Sequence, residues 1–210
     1  MNLDMDVLER WLIGWSLARG LPLPTRANGG LVVDVGWPGQ LRRHVFLEAG
    51  SELRECADLI HEPFIYLKAA VDPIQMRLAL PSRWQIESPR YLMYHTAVMA
   101  GPVAPSNGFI FKEYVEHGAH VIRLESPEGA MAATGRVVLT DATAIFDRIE
   151  TFEPYRRQGF ASALMRALDS LAQQAGVSER LLVATEAGRA LYLGLGWRVL
   201  APWSTAVLPA

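Results

Sequence analysis

Residues 145–175 constrain this chain more than any other stretch. An apolar run from Ile145 to Thr151 passes through Glu153-Pro154-Tyr155 into Arg156-Arg157-Gln158-Gly159-Phe160-Ala161, and then into the strongest amphipathic segment of the sequence. Phe160, Leu164, Leu168, Leu171 and Ala175 step by three or four, and Gly176 ends the pattern, which predicts a strand, a turn and a helix over 159–175. The first turn of a helix has N–H groups without intrahelical acceptors, and the macrodipole adds partial positive charge there. Arginines at such an end oppose the dipole unless an anion sits on it, at a cost of about 0.3–1 kcal/mol each. Gly159 leaves the backbone open to a ligand, and the small Ala161 keeps the next contact open. The stretch therefore reads as an anion cradle. It is not a nucleotide P-loop, because Gly-Lys-Ser/Thr is absent, nor a dinucleotide fingerprint, because only one glycine stands here.

The remainder reads as alternating short elements. Leu3, Val7, Leu8, Trp11, Leu12 and Trp15 form one helical stripe, ended near Gly20 and by Pro22 and Pro24. Strands are expected at 31–35, 45–47 and 64–67, with a helix at 52–60 between them, while 72–89 has no assignable pattern. A strand at 91–99 is followed by the clearest break, Gly101-Pro102 and Pro105-Ser106-Asn107-Gly108. Strands follow at 120–124, 132–139 and 144–151, the last two joined through Thr140-Asp141 as an antiparallel meander. After the long helix come a strand at 181–184, a short helix at 189–195 and a strand at 197–200. This order is α+β, with layered helices and strands. The break divides the chain into an N-terminal α/β half, 1–100, and a second unit, 101–210, to which the strand at 91–99 also has a claim.

Composition narrows the class of protein. With 210 residues, half of them hydrophobic and a fifth charged, the chain can bury a sizeable core. A formal charge of -2 offers no global field for nucleic acid. Asp4, Asp6 and Glu9, where a secretory signal would carry basic residues, and the lack of a long apolar run give no membrane partner and an expected cytoplasmic location. One cysteine, Cys56, makes neither an internal disulfide nor a thiolate metal site, and no histidine pair has metal-ligand spacing, so no metal is expected.

Arg156-x-x-Gly159-x-Ala161 after a strand resembles the Q/R-x-x-G-x-G/A acetyl-CoA motif of the GNAT N-acetyltransferase superfamily. About thirty residues on, Thr185-x-x-Gly188-x-x-Leu191-Tyr192-x-x-x-Gly196-Trp197 resembles that superfamily's N-x-x-A-x-x-L-Y-x-x-x-G-F segment. The likeness in element order runs from about Tyr91 to Leu200 and does not cover residues 1–90. It implies a mixed, mostly antiparallel central sheet flanked by helices, with the N-terminal half a candidate degenerate unit of the same kind. It implies acetyl-CoA as co-substrate. Ile149 and Thr151 would meet the acyl-pantetheine end through their backbone. Gln158, Gly159, Phe160 and Ala161 would hold the diphosphate through N–H groups, helped by Arg156 and Arg157. Thr185 stands where the family has an asparagine, which leaves a side-chain amide contact open, and Gly188 stands for an alanine.

Tyr192 matches the family tyrosine that protonates the departing thiolate, as a phenol within hydrogen-bond reach can. The attacking amine must lose a proton, and Asp147 and Glu150 are the nearest strand carboxylates. Three apart, they face opposite sides of a regular strand, and a β-bulge would change that parity. Glu150 is the expected base; His95, His117 and His120 are the other candidates. The expected function is transfer of an acetyl group from acetyl-CoA to a primary amine of a small molecule or peptide. The competing readings are a CoA-binding regulatory module without turnover and a structural protein with a vacant cradle. A homodimer is compatible with all three.

Overall fold

The computed structural model describes residues 1–103, 105, 108–140 and 142–210. Ser106, Asn107 and Asp141, on which parts of the expected 105–108 break and 140–141 turn fall, lie outside them. Helix α1 (Met5–Leu17) starts where the Asp4 carboxylate accepts the Val7 N–H at 2.8 Å, and it buries the Val7, Leu8, Trp11, Leu12 and Trp15 stripe. Strands β1 (Thr25–Ala27), β2 (Gly30–Trp37) and β3 (Gln40–Phe46) form a meander, and α2 (Ser51–Leu59) crosses to β4 (Ile65–Ala69). The patternless stretch after it holds α3 (Pro73–Ala79) and β5 (Gln85–Ile86), then β6 (Arg90–His95). Helix α3 rests on a local signal rather than on periodicity: Asp72 and Gln75 form a capping box with Pro73 at the helix start.

The second half runs β7 (Ile110–Glu116), β8 (Ala119–Glu125), β9 (Met131–Leu139), β10 (Thr143–Thr151), a 3-10 turn at Glu153–Tyr155, α4 (Phe160–Gln174), β11 (Glu179–Ala184), α5 (Glu186–Gly194) and β12 (Arg198–Val207). Strand β7 was not expected. It is an edge strand with no residue buried, so burial imprints no alternation on it. Strand β12 runs beyond its expected end at Leu200, straight through Pro202. Proline is tolerated there because β12 pairs β6 up to Trp203 and β4 only from Ser204, next to a register shift between Val199 and Ala201.

The described strands form one twelve-stranded sheet in the order β1-β2-β3-β4-β12-β6-β11-β10-β9-β8-β7, with β5 beside β12. It is mostly antiparallel; β3–β4 and β10–β11 are parallel, each joined by a helical crossover. Side-chain alternation assigns the two faces. Helix α1 packs against Leu31, Val33, Val45, Leu92, Val138, Ile145, Leu181 and Trp203 on one face. On the other, α4 and α5 cover Val137, Phe146, Leu182 and Trp197, while α2 and α3 cover Phe46, Leu67 and Ala206. No helix among the described residues is long and apolar enough to cross a membrane.

Candidate active site

Strands β10 and β11 pair only from Thr143↔Glu179 to Ile145↔Leu181. Beyond that both continue without bonding each other, β11 held by β6 and β10 by β9. The cause is a bulge in β10: Asp147 pairs Arg136 and Glu150 pairs Thr134, so three steps on β10 oppose two on β9. Arg148, inside the bulge, takes a left-handed φ of 49°. A cleft of about 1060 Å³ opens in the gap, walled by residues 146–151, by 182–185 and by the starts of α4 and α5. Backbone groups on both inner strand edges are thereby left for a ligand.

The cleft ends on the N-terminus of α4. Gly159 is the N-cap, with φ of 81° and no side-chain cap, and among the described residues no atom beyond its chain neighbours lies within 4 Å of where a Cβ would stand. The conformation asks for glycine, and the open space lets an anion reach the N–H groups of the first turn. Arg157 is exposed with φ of 62°, and the Arg156 Nε donates to the Thr151 carbonyl at 3.1 Å, fixing its guanidinium at the mouth. Phe160 is buried against Phe109, with ring centroids 4.4 Å apart, which anchors the start of α4.

Helix α5 supplies the opposite wall. The Thr185 hydroxyl caps it by accepting the Gly188 N–H at 3.1 Å. A Cβ on Gly188 would stand 3.1 Å from Tyr192 Cε2 and 3.4 Å from Thr185 Oγ1, so glycine here lets the Tyr192 ring lie close against the helix start. Tyr192 is 7% exposed and lines the cleft. Burial, then the nearby charge of Asp147, pushes its phenol above the ordinary value and keeps it protonated. Asp147 itself is clamped by Arg19, whose two terminal nitrogens lie 2.5 Å and 3.0 Å from its oxygens.

A family model described as the acetyltransferase (GNAT) family matches residues 83–197, more than half of the chain. This chain belongs to the GNAT family. Its fold is similar to that of a GCN5-related N-acetyltransferase from Kribbella flavida, with a TM-score of 0.68, 14% identity, and coverage of 100% of this chain and 97% of that one. A GCN5-related N-acetyltransferase from Sphaerobacter thermophilus gives a TM-score of 0.60 at 14% identity, covering 96% and 84%. An acetyltransferase of the family from Novosphingobium aromaticivorans gives 0.57 at 17%, covering 96% and 98%. No curated protein compared with the sequence matches it.

In this GNAT cleft stand Ile149, Glu150, Thr151, Arg156, Arg157, Gly159, Phe160, Ala161, Thr185 and Tyr192. Of the cofactor-binding residues named from the sequence, Gln158 is the one outside the wall, its side chain turned back to donate to the Pro154 carbonyl at 3.2 Å. The Ile149 side chain lies against Gly135 beside Leu164 and Leu168, on the α4 face, and the residue lines the cleft. The bulge places Asp147 and Glu150 on the same face, because their β9 partners Arg136 and Thr134 are two apart. Asp147 is held by Arg19, whereas Glu150 is exposed. The histidines lie elsewhere: His95 stacks on Trp197 and contacts the Gly196 carbonyl at 3.1 Å, His117 packs at Gly20, and His120 faces Glu113. Sequence reading missed Arg19 and Arg90, which also line the cleft. Each lies outside the two motifs, and nothing in local spacing marks them.

Proposed function

We propose that this protein transfers the acetyl group of acetyl-CoA to a primary amine by direct attack of the amine on the thioester. The reading rests on one convergence: an uncapped helix N-terminus and a buried phenol stand at opposite walls of a gap between two strands that have stopped pairing. The residues present fit CoA. Gly159 leaves the α4 N–H groups open to the diphosphate with Arg156 and Arg157 beside them, and the buried Thr151 hydroxyl has no hydrogen-bond partner among the described residues. The unpaired edges of β10 and β11 suit an extended amide-bearing arm, and Thr185 and Phe160 bound its ends.

Acetyl-CoA supplies an acyl group activated as a thioester. Glu150 takes the proton of the incoming ammonium, directly or through water, and the neutral nitrogen bonds to the carbonyl carbon. As the carbon–sulfur bond breaks, the Tyr192 hydroxyl gives its proton to the leaving sulfur, and the second proton of the attacking nitrogen passes through solvent to the phenolate, leaving a neutral amide, a free thiol and a restored phenol. The raised pKa of Tyr192 keeps its proton available across the physiological range. We place the reaction in the cytoplasm, with a small-molecule or peptide acceptor.

Purified protein mixed with acetyl-CoA and a panel of amines, read by release of free thiol, tests the assignment. Turnover with at least one amine is expected, together with a rise in Tm on adding CoA. A CoA-dependent Tm rise with no thiol release on any amine would instead make the protein a CoA sensor, and no response to CoA would refute the cradle.

A further inference from the structure

Beyond Arg19, on the α1 face of the sheet, the cleft runs up against an unusual accumulation of positive charge. Strand register assigns the residues. Lys68 pairs Thr205 and Val45, Trp203 pairs Arg90, and Arg43 lies two before Val45, so Arg43, Lys68 and Arg90 all point to the side covered by α1. Helix α1 ends at Leu17, short of this region. Arg19 and Arg90 line the cleft itself. Behind them, Arg43 and Lys68 are 6% and 7% exposed.

Trp15 ties the two layers together: the Arg43 guanidinium lies 3.5 Å from its ring centroid and that of Arg19 4.3 Å. The charged groups facing one another here are Arg19, Arg43, Lys68 and Arg90 against Asp147 and Glu87. Asp147 is already taken by Arg19. Among the described residues, neither Arg43 nor Lys68 has a carboxylate within 4 Å; Arg43 reaches the Gln40 amide oxygen at 3.3 Å and Lys68 the Thr205 hydroxyl at 2.8 Å. Burial accordingly pushes Arg43 down to about 9, and Lys68 well below its ordinary value. Buried cations left without anions oppose folding, so their presence beside a ligand cleft calls for a counter-charge from the ligand.

We infer that Arg43, Lys68 and Arg90 form the carboxylate end of the acceptor site, so that the acceptor is a small amine bearing a carboxylate, of the α-amino-acid class. This deepens the acetyl-transfer reading and rests on it. The amine must lie at the bulge, near Asp147, Glu150 and Tyr192, and the cation cluster begins one side chain away, at the Arg19 that clamps Asp147. A polyamine or aminoglycoside would bring further positive charge towards Arg43 and Arg90, which have no carboxylate partner among the described residues and whose field repels it.

The test pairs α-amino acids with their decarboxylated amines and with phosphoethanolamine, at saturating acetyl-CoA. At least one amino acid should exceed its decarboxylated counterpart by about 100-fold in kcat/KM, the range expected when a charge-assisted contact to a buried cation is lost. Arg90→Gln, on the exposed wall, should lower kcat/KM for that amino acid by about tenfold and move the KM for acetyl-CoA less than twofold. Lys68→Met should raise Tm by a few degrees while erasing the preference for the carboxylate, because an apolar stem relieves the buried charge. A merely structural lysine would give the opposite Tm change.

Independently of turnover, N-acetyl amino acids added to the CoA-bound protein should raise Tm where N-acetyl amines without a carboxylate do not. Equal or better use of decarboxylated amines, preference for phosphoethanolamine, or no Tm difference between the two product series would overturn the proposal. Failure of CoA itself to bind or turn over would tell against the acetyl-transfer reading instead.

Discussion

Tyr192 and His44 are both buried titrating groups, and their environments have opposite consequences. Around Tyr192, desolvation and the neighbouring Asp147 raise the phenol pKa and favour its neutral form, as the proposed acid role requires. Tyr192→Phe should lower kcat by about 100-fold and leave acetyl-CoA binding within about twofold; wild-type kcat/KM should rise as the amine deprotonates, with no alkaline fall from the phenol. An unchanged kcat under conditions where chemistry is rate-limiting would remove the acid role. His44 is buried beside Cys56, whose thiol burial pushes up to about 11, so the cysteine is an inert packing group. Burial lowers His44 to about 4, with Arg42 adding to the effect. Its folded pKa is below the unfolded one, so its contribution to stability is present above about 6.5 and is lost as pH falls toward 4. Urea unfolding should therefore show wild type losing about 2 kcal/mol more than His44→Asn between pH 7 and pH 5. Equal losses would show that His44 is not the group responsible.

At the scale of elements, the site is made by what two of them fail to do. Helix α4 lacks a side-chain cap, and β10 abandons β11 after Ile145. Both defects cost folding free energy and both expose backbone polar groups toward one space. Gly159 carries the first. Gly159→Ala should raise the KM for acetyl-CoA about tenfold through left-handed strain of about 1 kcal/mol and a methyl in the cradle, and Gly159→Glu should abolish CoA binding by calorimetry while the protein stays folded. CoA binding to Gly159→Glu with native affinity would show that the diphosphate lies elsewhere. The Gly159 signal was legible locally, because helix periodicity and a preceding strand lie within thirty residues. The bulge was not. Asp147 and Glu150 show no irregularity until β9 is placed beside them, so their shared face follows from a pairing that local spacing does not encode.

In the whole molecule, β12 joins the parts. Arg198–Trp203 completes the ladder to β6, and Ser204–Val207 pairs β4, so the last strand closes the sheet between sequence regions more than a hundred residues apart. Trp203 also meets Trp11 of α1 edge-to-face, with centroids 4.9 Å apart. Truncation after Trp203 should leave the β4 edge open and make residues 20–90 the first to be cut in limited proteolysis, with Tm lowered by more than 10 °C. An unchanged Tm would show that the β4–β12 ladder is dispensable.

The sequence by itself determined the α+β order and the long helix, because these depend on side-chain spacing within a few residues, and it raised an anion cradle at the helix start as an expectation from the N–H groups there. Two motifs together extended the cradle to a GNAT acetyl-CoA site. Tertiary structure decided what faces that site. Arg43, Lys68 and Arg90 lie on three different strands and sheet register sets them on one face, while Arg19, just after α1, is placed by its ion pair with Asp147. Charges so far apart in the chain acquire a common field only when pairing brings them within one low-dielectric pocket, which is why the motifs at the start of α4 were readable from the sequence and this cluster was not.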